Sequence, residues 1–348
     1  MGNRQFIIPI FIPHKGCPND CVFCNQRKIT GQDSIDDYKK IEEEIKNALK
    51  TIAFNKNPIV EIAFYGGSFT AISDESQEFL LKIAKKYVDS YKLQGIRIST
   101  RPDYINEEIL ERLKKYGVKT IELGVQSLDE SVLKASNRGH KSNIVSRSAK
   151  LIKNYGFTLG IQLMIGLPGD HREKTIETVK RVIEMKPDIS RIYPTLVIKD
   201  TVLEEMYKSG LYSALPLKEA IDLSKEMYHL LFSNGIKVIR MGLQPTKNIL
   251  EGEDVVAGPF HSSFRSLVIS DYIYDLIVES LDDYKGKKIV FKVNNKDISY
   301  LIGDKRINKN RLIKKYNLET FKIESSNQIE RGRIIIKFED EIKEIRFS

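Results

Sequence analysis

The chain has 348 residues, of which 41% are hydrophobic, and a formal net charge of +9. This composition is typical of a globular protein with room for one barrel-sized domain and a smaller appendage, and it excludes a low-complexity chain. The apolar run Phe6–Ile12 contains a proline, is too short to cross a membrane and precedes no small-residue cleavage site, so we expect neither a membrane anchor nor a signal peptide.

The first predicted strand, Phe6–Ile12, leads into a cluster of cysteines. Cys17, Cys21 and Cys24 have the spacing C-x3-C-x2-C and are the only cysteines in the chain. Because merely buried cysteines would be scattered, this clustering indicates a metal site. Three thiolates on a [4Fe-4S] cluster leave one iron open to another ligand, whereas zinc would need a fourth protein ligand such as His14. Thiols that must stay reduced predict a cytoplasmic protein.

Helices and strands then alternate along the chain. The predicted helices are Asp36–Phe54, Glu75–Ser90, Asn106–Lys115, Ser142–Asn154 and Arg172–Met185, and the strands are Pro58–Tyr65, Gly95–Arg101, Lys119–Gln126, Phe157–Met164 and Ile189–Tyr193. With the first strand this makes six strands, each followed by a helical segment. The alternation predicts the α/β class, with a parallel sheet curled into a partial (β/α)6 TIM-like barrel.

The third, fourth and fifth predicted strands each have one apolar face and one face with polar side chains. The side chains on the polar faces include Ser99, Arg101, Glu122, Gln126 and Gln162. A polar interior costs free energy unless something polar fills it, so these faces predict a cavity in an open barrel. A polar core that is satisfied by its own hydrogen bonds is the alternative.

Unusual loops follow the carboxyl ends of these strands. They include the cysteine motif, Tyr65–Ser68, Thr100–Asp103, Gln126–Ser127, Gly166–Asp170 and Pro194–Thr195. Barrel enzymes assemble their active sites on this rim, and we therefore expect the functional site there. Gly66 and Gly67 leave backbone carbonyls accessible to a ligand amine.

The last part of the chain has a different character. We predict a core at residues 1–245, a connecting loop and helix at residues 246–280, and a small α+β module at residues 281–348. The module is predicted to contain strands Lys288–Val293, Ile298–Ile302 and Ile334–Phe338 and helix Asn308–Tyr316. From Leu281 to Ser348 there are 17 Lys and Arg residues against 11 Asp and Glu residues. This excess favours a nucleic-acid partner, although a solvated lysine-rich surface would have the same composition.

The cysteine motif, with Phe23 directly before its last cysteine, resembles the signature of the radical S-adenosylmethionine (SAM) superfamily. The resemblance implies a [4Fe-4S] cluster on Cys17, Cys21 and Cys24, SAM chelating the fourth iron, and Phe23 near the adenine. It also implies reductive cleavage of SAM to a 5′-deoxyadenosyl radical, with electrons from a donor such as flavodoxin or ferredoxin.

Further site residues follow from the same resemblance. Gly66, Gly67 and Ser68 match the glycine-rich element that holds the SAM amino group. Arg138 matches an arginine that contacts the SAM carboxylate in the coproporphyrinogen dehydrogenase-like branch, a role that suits a planar guanidinium. The other implied SAM contacts are Ser99, Arg101, Gln126 and Gln162, of which Ser99 and Gln162 stand where carboxylates are common. The catalytic candidates are Tyr193, Glu122 and His261, the last lying in a glycine- and proline-rich segment that we interpret as a crossover rather than a lid.

Three stretches resemble the catalytic subunit of Elongator and its archaeal and bacterial relatives. They are Ser99–Tyr104, Glu122–Ser127 and Arg191–Thr201. That family acts on the wobble uridine of tRNA. The first cysteine gap is shorter here than is usual in that family, and residues after Gln244 contain no counterpart of its acetyltransferase domain, so we expect a shortened Elongator-like radical SAM enzyme with tRNA as partner. Two alternatives remain: an enzyme acting on a tetrapyrrole or small metabolite, and a zinc-stabilised RNA-binding protein without catalytic activity.

Overall fold

The computed structural model describes residues 5–12, 17, 20–25, 38–243, 254–281, 284, 286–338 and 341–348. His14 therefore lies outside the described residues. Two compact units divide the chain: the first unit comprises Met1–Leu217 and Asn234–Phe260, and the second unit comprises Lys218–Ser233 and His261–Ser348. Within the described ranges, no helix combines the length and the hydropathy needed to cross a membrane.

The first unit is built on a parallel sheet. Its strands are β1 (Gln5–Ile12), β2 (Ile59–Gly66), β3 (Gly95–Thr100), β4 (Val118–Gln126), β5 (Thr158–Ile165), β6 (Ile189–Pro194), β7 (Val197–Ile198), β8 (Lys237–Met241) and β9 (Val255–Ala257). Seven of them form a sheet in the order β1-β2-β3-β4-β5-β6-β8, with every neighbouring pair parallel. Strands β7 and β9 form a separate antiparallel pair.

Helices connect the strands of this sheet. They are α1 (Tyr38–Lys50), α2 (Asp74–Tyr91), α3 (Glu107–Lys115), α4 (Glu130–Ala135), α5 (Ser142–Asn154), α6 (Arg172–Glu184) and α7 (Val202–Lys208). Several begin at a side chain that accepts a hydrogen bond from the first turn, such as Asn106 from the Ile109 amide at 2.8 Å and Asp129 from the Val132 amide at 3.0 Å. These caps satisfy amides that have no partner inside the helix.

The predicted α/β alternation is confirmed, and the predicted ends differ from the observed ones by at most four residues. The six-strand count is wrong, because β8 extends the sheet beside β6. Strand β8 (Lys237–Met241) was not among the six strands predicted for the sheet. Its place in the sheet depends on pairing with residues almost fifty positions earlier, such as Ile189 with Lys237, which no local pattern reveals.

The second unit contains α8 (Leu217–Ser233), α9 (Phe264–Ser280), α10 (Ile298–Ile302) and α11 (Ile307–Tyr316). Its strands are β10 (Lys288–Val293), β11 (Thr320–Ser325), β12 (Arg333–Phe338) and β13 (Glu341–Arg346), arranged in the order β11-β10-β12-β13. Phe291, Ile334, Ile336 and Phe347 are among its fully buried side chains.

Residues Ile298–Ile302 form a helix, and the predicted strand there is wrong. A five-residue apolar run does not distinguish a strand from a buried helix by periodicity. The turn before it is set by the Asn294 side chain, which accepts a hydrogen bond from the Lys296 amide at 2.9 Å. The predictions of β10, β12 and α11 are confirmed, whereas β11 and β13 were not predicted because charged residues interrupt their apolar pattern.

Candidate functional site

The cysteine loop is fixed to the first unit by backbone contacts. The Asn137 side chain donates to the Asp20 carbonyl at 2.9 Å, and the Val22 amide donates to the Ser136 carbonyl at 3.2 Å. The Val22 carbonyl accepts from the Leu203 amide at 2.8 Å. The loop is therefore held between the segment after α4 and the start of α7.

Apolar packing reinforces this attachment. Val22 is buried in a cluster with Val197, Leu203 and Tyr212, and Phe23 packs against that cluster. The two residues between Cys21 and Cys24 thus anchor the loop, which leaves the flanking thiols available for other contacts.

The three thiols have different surroundings. Cys21 is buried, whereas Cys17 and Cys24 are partly exposed. The Cys24 amide donates to the Cys21 carbonyl at 2.9 Å, and Nη1 of Arg138 donates to the Cys21 Sγ at 3.3 Å. Across the described ranges, no three Cys, His, Asp or Glu side chains converge closely enough to hold one metal ion.

A second buried guanidinium, that of Arg101, lies within electrostatic range of the thiols. Its Nε donates to Asp103 at 3.0 Å, and its Nη2 donates to the Arg138 carbonyl at 2.6 Å. Burial opposes its charge, but the bond to Asp103 and the charges of Cys17 and Cys21 raise the pKa of Arg101. Its Nη1 is buried without a hydrogen-bond partner in the part of the chain that the structure describes. One strong donor therefore remains for an anionic ligand.

Gly66 brings the backbone of the second rim loop against the end of β1. Its φ is +109°, and a Cβ built there would lie 2.2 Å from the Ile12 carbonyl oxygen, so only glycine fits. The Gly67 amide donates to the same oxygen at 3.2 Å. The Ser68 hydroxyl is buried and bonds Thr100 Oγ1 at 2.9 Å, which joins this loop to the loop after β3.

A cavity of about 500 Å³ lies beside the cysteine loop. This volume is within the usual range for sites that bind cofactors or small molecules. Of the predicted site residues, its lining includes Phe23, Cys24, Gly66, Ser99, Gln126, Gln162 and Tyr193. The lining also includes residues that the sequence did not single out, among them Phe11, Tyr65, Met164, Arg191 and Arg240.

Gln126 reaches the cavity through an irregularity in β4. Its φ is 68°, a left-handed value that is uncommon for residues other than glycine, and the pairing of β4 with β5 shifts register at this point. The Gln126 Oε1 is buried and has no hydrogen-bond partner within the described ranges. It is thus an acceptor left open in the cavity wall.

Glu122 is the hub of a buried ion-pair network under the cavity. Its side chain is 1% exposed and accepts from Arg97 at 2.8 Å and from Arg191 at 2.5 Å and 2.8 Å. Burial opposes the charged form, but the charge and hydrogen bonds of Arg191, followed by those of Arg97, hold the pKa of Glu122 below its usual value. Opposite it, a Cβ on Gly160 would come within 2.8 Å of the Glu122 Cγ, so the glycine makes room for the carboxylate.

Arg191 connects this network to the cavity. Besides Glu122 it donates to the Tyr65 hydroxyl at 2.8 Å and to the Tyr193 hydroxyl at 3.5 Å. Its guanidinium also lies 5.3 Å from the centroid of the Tyr65 ring. Burial and the charge of Glu122 raise the pKa of Tyr65, which keeps this phenol protonated.

Gln162 and Ser99 form the next layer toward the cavity. The Gln162 Nε2 donates to the Ser99 hydroxyl and to Glu122, both at 3.1 Å. Behind them Arg97 donates to Glu61 at 2.5 Å, and Thr120 donates to the same carboxylate at 3.2 Å. The inner face of the sheet is therefore a polar core satisfied by its own bonds, with a cavity above it.

Sequence reasoning found the inward-facing polar side chains but not their pairing. Arg97 and Arg191 were missed as site residues, although each lies two positions before a predicted one, Ser99 and Tyr193, and so shares its strand face. His261 lies in the second unit, where its Nδ1 accepts from the Ser263 amide at 3.1 Å. It is not among the residues that line the cavity, and its catalytic role stays a prediction.

Two family models match this chain. The sequence profile of the Radical SAM superfamily matches residues 11–182, and that of the Radical_SAM C-terminal domain matches residues 187–274. The chain belongs to the radical SAM superfamily. The resemblance predicted from the cysteine motif is therefore confirmed, and radical SAM membership implies SAM and an iron–sulfur cluster as cofactors.

Similar proteins place this radical SAM chain near Elongator. It is 28% identical over 257 residues to the tRNA uridine(34) acetyltransferase of Methanocaldococcus jannaschii, covering 62% of this chain and 47% of that protein. It is 34% identical over 184 residues to human Elongator complex protein 3, covering 47% of this chain and 34% of that protein. The chain thus spans about half or less of the length of these relatives. The predicted likeness to the Elongator catalytic subunit is confirmed.

A solved structure supports the same fold. The Methanocaldococcus infernus Elp3 with an N-terminus deletion (1–46) superimposes with a TM-score of 0.62 at 22% identity, covering 81% of this chain and 64% of that chain. The predicted partial barrel of the radical SAM type is confirmed by this match.

The residues around the cavity fit the cofactors of a radical SAM protein. Three thiols on one anchored loop match the donor chemistry of an iron–sulfur cluster. The open donor on Arg101 suits an anion, and the open acceptor on Gln126 suits a hydroxyl or amine of a nucleoside-like ligand. Gly66 also lines the cavity, and it exposes backbone there because a side chain would clash with the Ile12 carbonyl oxygen.

Proposed function

We propose that this protein is a radical SAM enzyme that binds a [4Fe-4S] cluster through Cys17, Cys21 and Cys24 and modifies a uridine of tRNA. The observation that carries the proposal is the cavity of about 500 Å³ whose lining includes Cys24 and Phe23 at the anchored cysteine loop. A cluster held by the three thiolates would supply the electron for reductive cleavage of SAM to methionine and a 5′-deoxyadenosyl radical. Flavodoxin or ferredoxin is the proposed class of electron donor.

The residues of this chain bind and orient SAM. The Gly66 backbone carbonyl is offered to the SAM amino group. Arg138, which donates to the Cys21 Sγ, and Arg101, which donates to the Arg138 carbonyl, supply positive charge for the SAM carboxylate. Gln126 has an open acceptor for a ribose hydroxyl, and Phe23 supplies an aromatic surface for the adenine. Cys17, Cys21 and Cys24 would hold the cluster.

Glu122 acts as a positioning residue in this proposal. Its carboxylate is held in the charged form by Arg97 and Arg191, and it fixes the Gln162 amide. Tyr193 and Tyr65 lie at the other end of the same network and contact the cavity directly. Tyr193 therefore remains the candidate for direct contact with the substrate, whereas Glu122 acts through its neighbours.

The choice of substrate follows the relatives. Two names recur among the similar proteins, tRNA uridine(34) acetyltransferase and Elongator complex protein 3. The Radical SAM match at residues 11–182 includes the cysteine loop and much of the cavity lining. We therefore propose the wobble uridine as the site of modification. The reaction proposed for this chain is the radical step that begins with cleavage of SAM.

Anaerobic reconstitution with iron and sulfide tests the cofactor. The wild-type protein should bind about four irons per chain, absorb near 400 nm and release 5′-deoxyadenosine when given dithionite and SAM. Cys21→Ala should lose both the absorbance and the product. The matched control is Ser136→Ala, which keeps all three thiols and the loop contact through the Ser136 carbonyl. A colourless protein that retains one zinc per chain would reject the proposal.

Nucleoside analysis tests the substrate. Mass spectrometry of tRNA nucleosides from a deletion strain should show a wobble-uridine derivative missing, and wild-type protein but not Cys21→Ala should restore it. An unchanged tRNA profile with an altered porphyrin pool would support the tetrapyrrole alternative instead.

A further inference from the structure

A run of basic residues in the second unit has no acidic residue within it. The segment Lys305–Leu318 contains six Lys and Arg residues and no Asp or Glu, and Asp304 and Glu319 lie directly outside it. The six are Lys305, Arg306, Lys309, Arg311, Lys314 and Lys315. They lie in helix α11 and in the turn that precedes it.

The turn holds two basic residues in a conformation that favours glycine. Lys305 has a φ of 46° and Arg306 a φ of 64°, and both side chains are exposed. A left-handed residue with a Cβ costs about 1 to 2 kcal/mol, so glycine would be cheaper at either position. The sequence instead keeps a cationic side chain at both.

The rotation of α11 is fixed by its buried side. Leu312 is fully buried, and the buried Asn308 amide donates to the Ser270 carbonyl at 2.7 Å. The opposite side presents residues at i, i+3, i+4 and i+7, which share one face of a helix. They are Ile307, Asn310, Arg311 and Lys314, all of them exposed.

Several cations of the second unit are paired with carboxylates, but most of those in the run Lys305–Leu318 are not. Lys287 pairs with Glu319 at 2.7 Å, and Lys322 pairs with Glu324 at 2.9 Å. Arg311 pairs with Asp271 at 2.9 Å. In contrast, Lys305, Arg306, Lys314 and Lys315 have no carboxylate within ion-pair distance in the ranges that the structure describes.

We propose that the five exposed cations of this run, Lys305, Arg306, Arg311, Lys314 and Lys315, together called the basic face, bind the phosphate backbone of an RNA. The inference rests on the proposed function, in which the substrate is a tRNA. Cations without an internal partner are available to neutralise phosphates, and release of the counterions condensed on those phosphates drives binding to a nucleic acid. From Ile307 to Lys314 the helix spans about 10 Å, so the face contacts a few consecutive phosphates.

The chemistry of the face favours RNA over a lipid surface. A helix that lies on a membrane buries a wide apolar stripe, whereas the exposed side of α11 has a single large apolar residue, Ile307, 54% exposed. Asn310 between the cations adds a hydrogen-bond donor and acceptor suited to ribose and phosphate groups.

Binding of an unmodified tRNA transcript by the full-length, cluster-loaded protein tests the proposal. The triple variant Lys305→Gln, Arg306→Gln, Lys314→Gln should bind at least tenfold more weakly near 100 mM salt. The slope of log affinity against log salt concentration should be smaller in magnitude by about 2 in this variant. Each lost phosphate contact removes about 0.7 to 0.9 from that slope. Cleavage of SAM without RNA should be unchanged.

The matched control removes the same charge from paired lysines. Lys287→Gln, Lys292→Gln, Lys322→Gln lowers the net charge of the same unit by the same amount, but each of these lysines has a carboxylate partner. It should bind the transcript within about threefold of wild type, since paired cations contribute little to counterion release. Equal losses in the two triple variants would show a general charge effect and overturn the proposed face.

The remaining outcomes separate the inference from the proposed function. Wild-type protein that cleaves SAM but does not bind the transcript would reject tRNA as substrate. Wild-type affinity in the Lys305, Arg306, Lys314 variant would overturn the face and leave the tRNA proposal standing. If that variant lost binding to phosphatidylserine vesicles but bound RNA like wild type, the face would be assigned to a membrane instead.

Discussion

The two units use cations in opposite ways. In the first unit Arg97 and Arg191 are each about 5% exposed and share the carboxylate of Glu122. In the second unit Lys305 and Lys314 are exposed and have no carboxylate at ion-pair distance among the described residues. A buried cation needs a counter-charge within the protein, whereas an exposed cation can pair with an anion of a binding partner. The first arrangement positions groups of the protein itself, and the second leaves charge for a partner.

Removing the shared carboxylate should have the largest effect. Glu122→Gln leaves Arg191 buried without a counter-charge, and loss of one partner from a buried pair costs about 3 to 5 kcal/mol. Urea unfolding of the cluster-free protein measures this loss. Lys314→Gln, which removes an exposed charge from the second unit, should change stability by less than about 0.5 kcal/mol.

The double variant Glu122→Gln, Arg191→Met sharpens this test. Because it removes the uncompensated charge together with its partner, it should be more stable than Glu122→Gln alone. If the double variant were as unstable as the sum of the two single variants, the network would not be coupled through charge, and the contrast between the two units would fail.

His140 shows what happens to a buried titratable group when burial and nearby guanidiniums outweigh the one carboxylate that acts on it, Asp103. It is 6% exposed, and its Nε2 has no hydrogen-bond partner within the described ranges. Burial, followed by the charge of Arg138, lowers the pKa of His140 to about 4. Between about pH 6.5 and 4 the unfolded chain therefore binds a proton that the folded chain does not, and stability falls as the pH falls through this window.

Replacing His140 should flatten that pH dependence. The shift corresponds to about 3 kcal/mol of stability lost between pH 7 and pH 4, and His140→Gln removes that contribution. Urea unfolding of wild type and variant at pH 7, 5.5 and 4 measures the difference. His171→Gln is the control, since His171 is exposed and should leave the slope as it is. Parallel pH profiles for wild type and His140→Gln would contradict the assignment.

The sequence predicted most of the fold and only part of the site, for a physical reason. Strand β4 could be read from its alternation, which places Glu122 on an inner face next to the apolar Ile121 and Leu123. The partners of Glu122 lie 25 and 69 residues away on other strands, and alternation does not say which inward side chains meet. The role proposed for the cysteines comes from a short motif, because the chemistry of three clustered thiols is local.

Glycine substitutions in the turn before α11 should give the smallest change in stability. The sign of that change shows whether Lys305 and Arg306 serve the fold or the binding of RNA. Lys305→Gly and Arg306→Gly relieve the left-handed strain but add freedom to the unfolded chain, so each should raise stability by about 0.5 to 1 kcal/mol. Lys314→Gly removes the same charge from the helix interior and should instead cost about 1 kcal/mol. Thermal unfolding followed by circular dichroism measures these changes, and transcript binding by the same proteins should weaken in all three variants. A turn that becomes less stable with glycine would mean that Lys305 and Arg306 serve the fold, and the second unit would then use its cations as the first unit does.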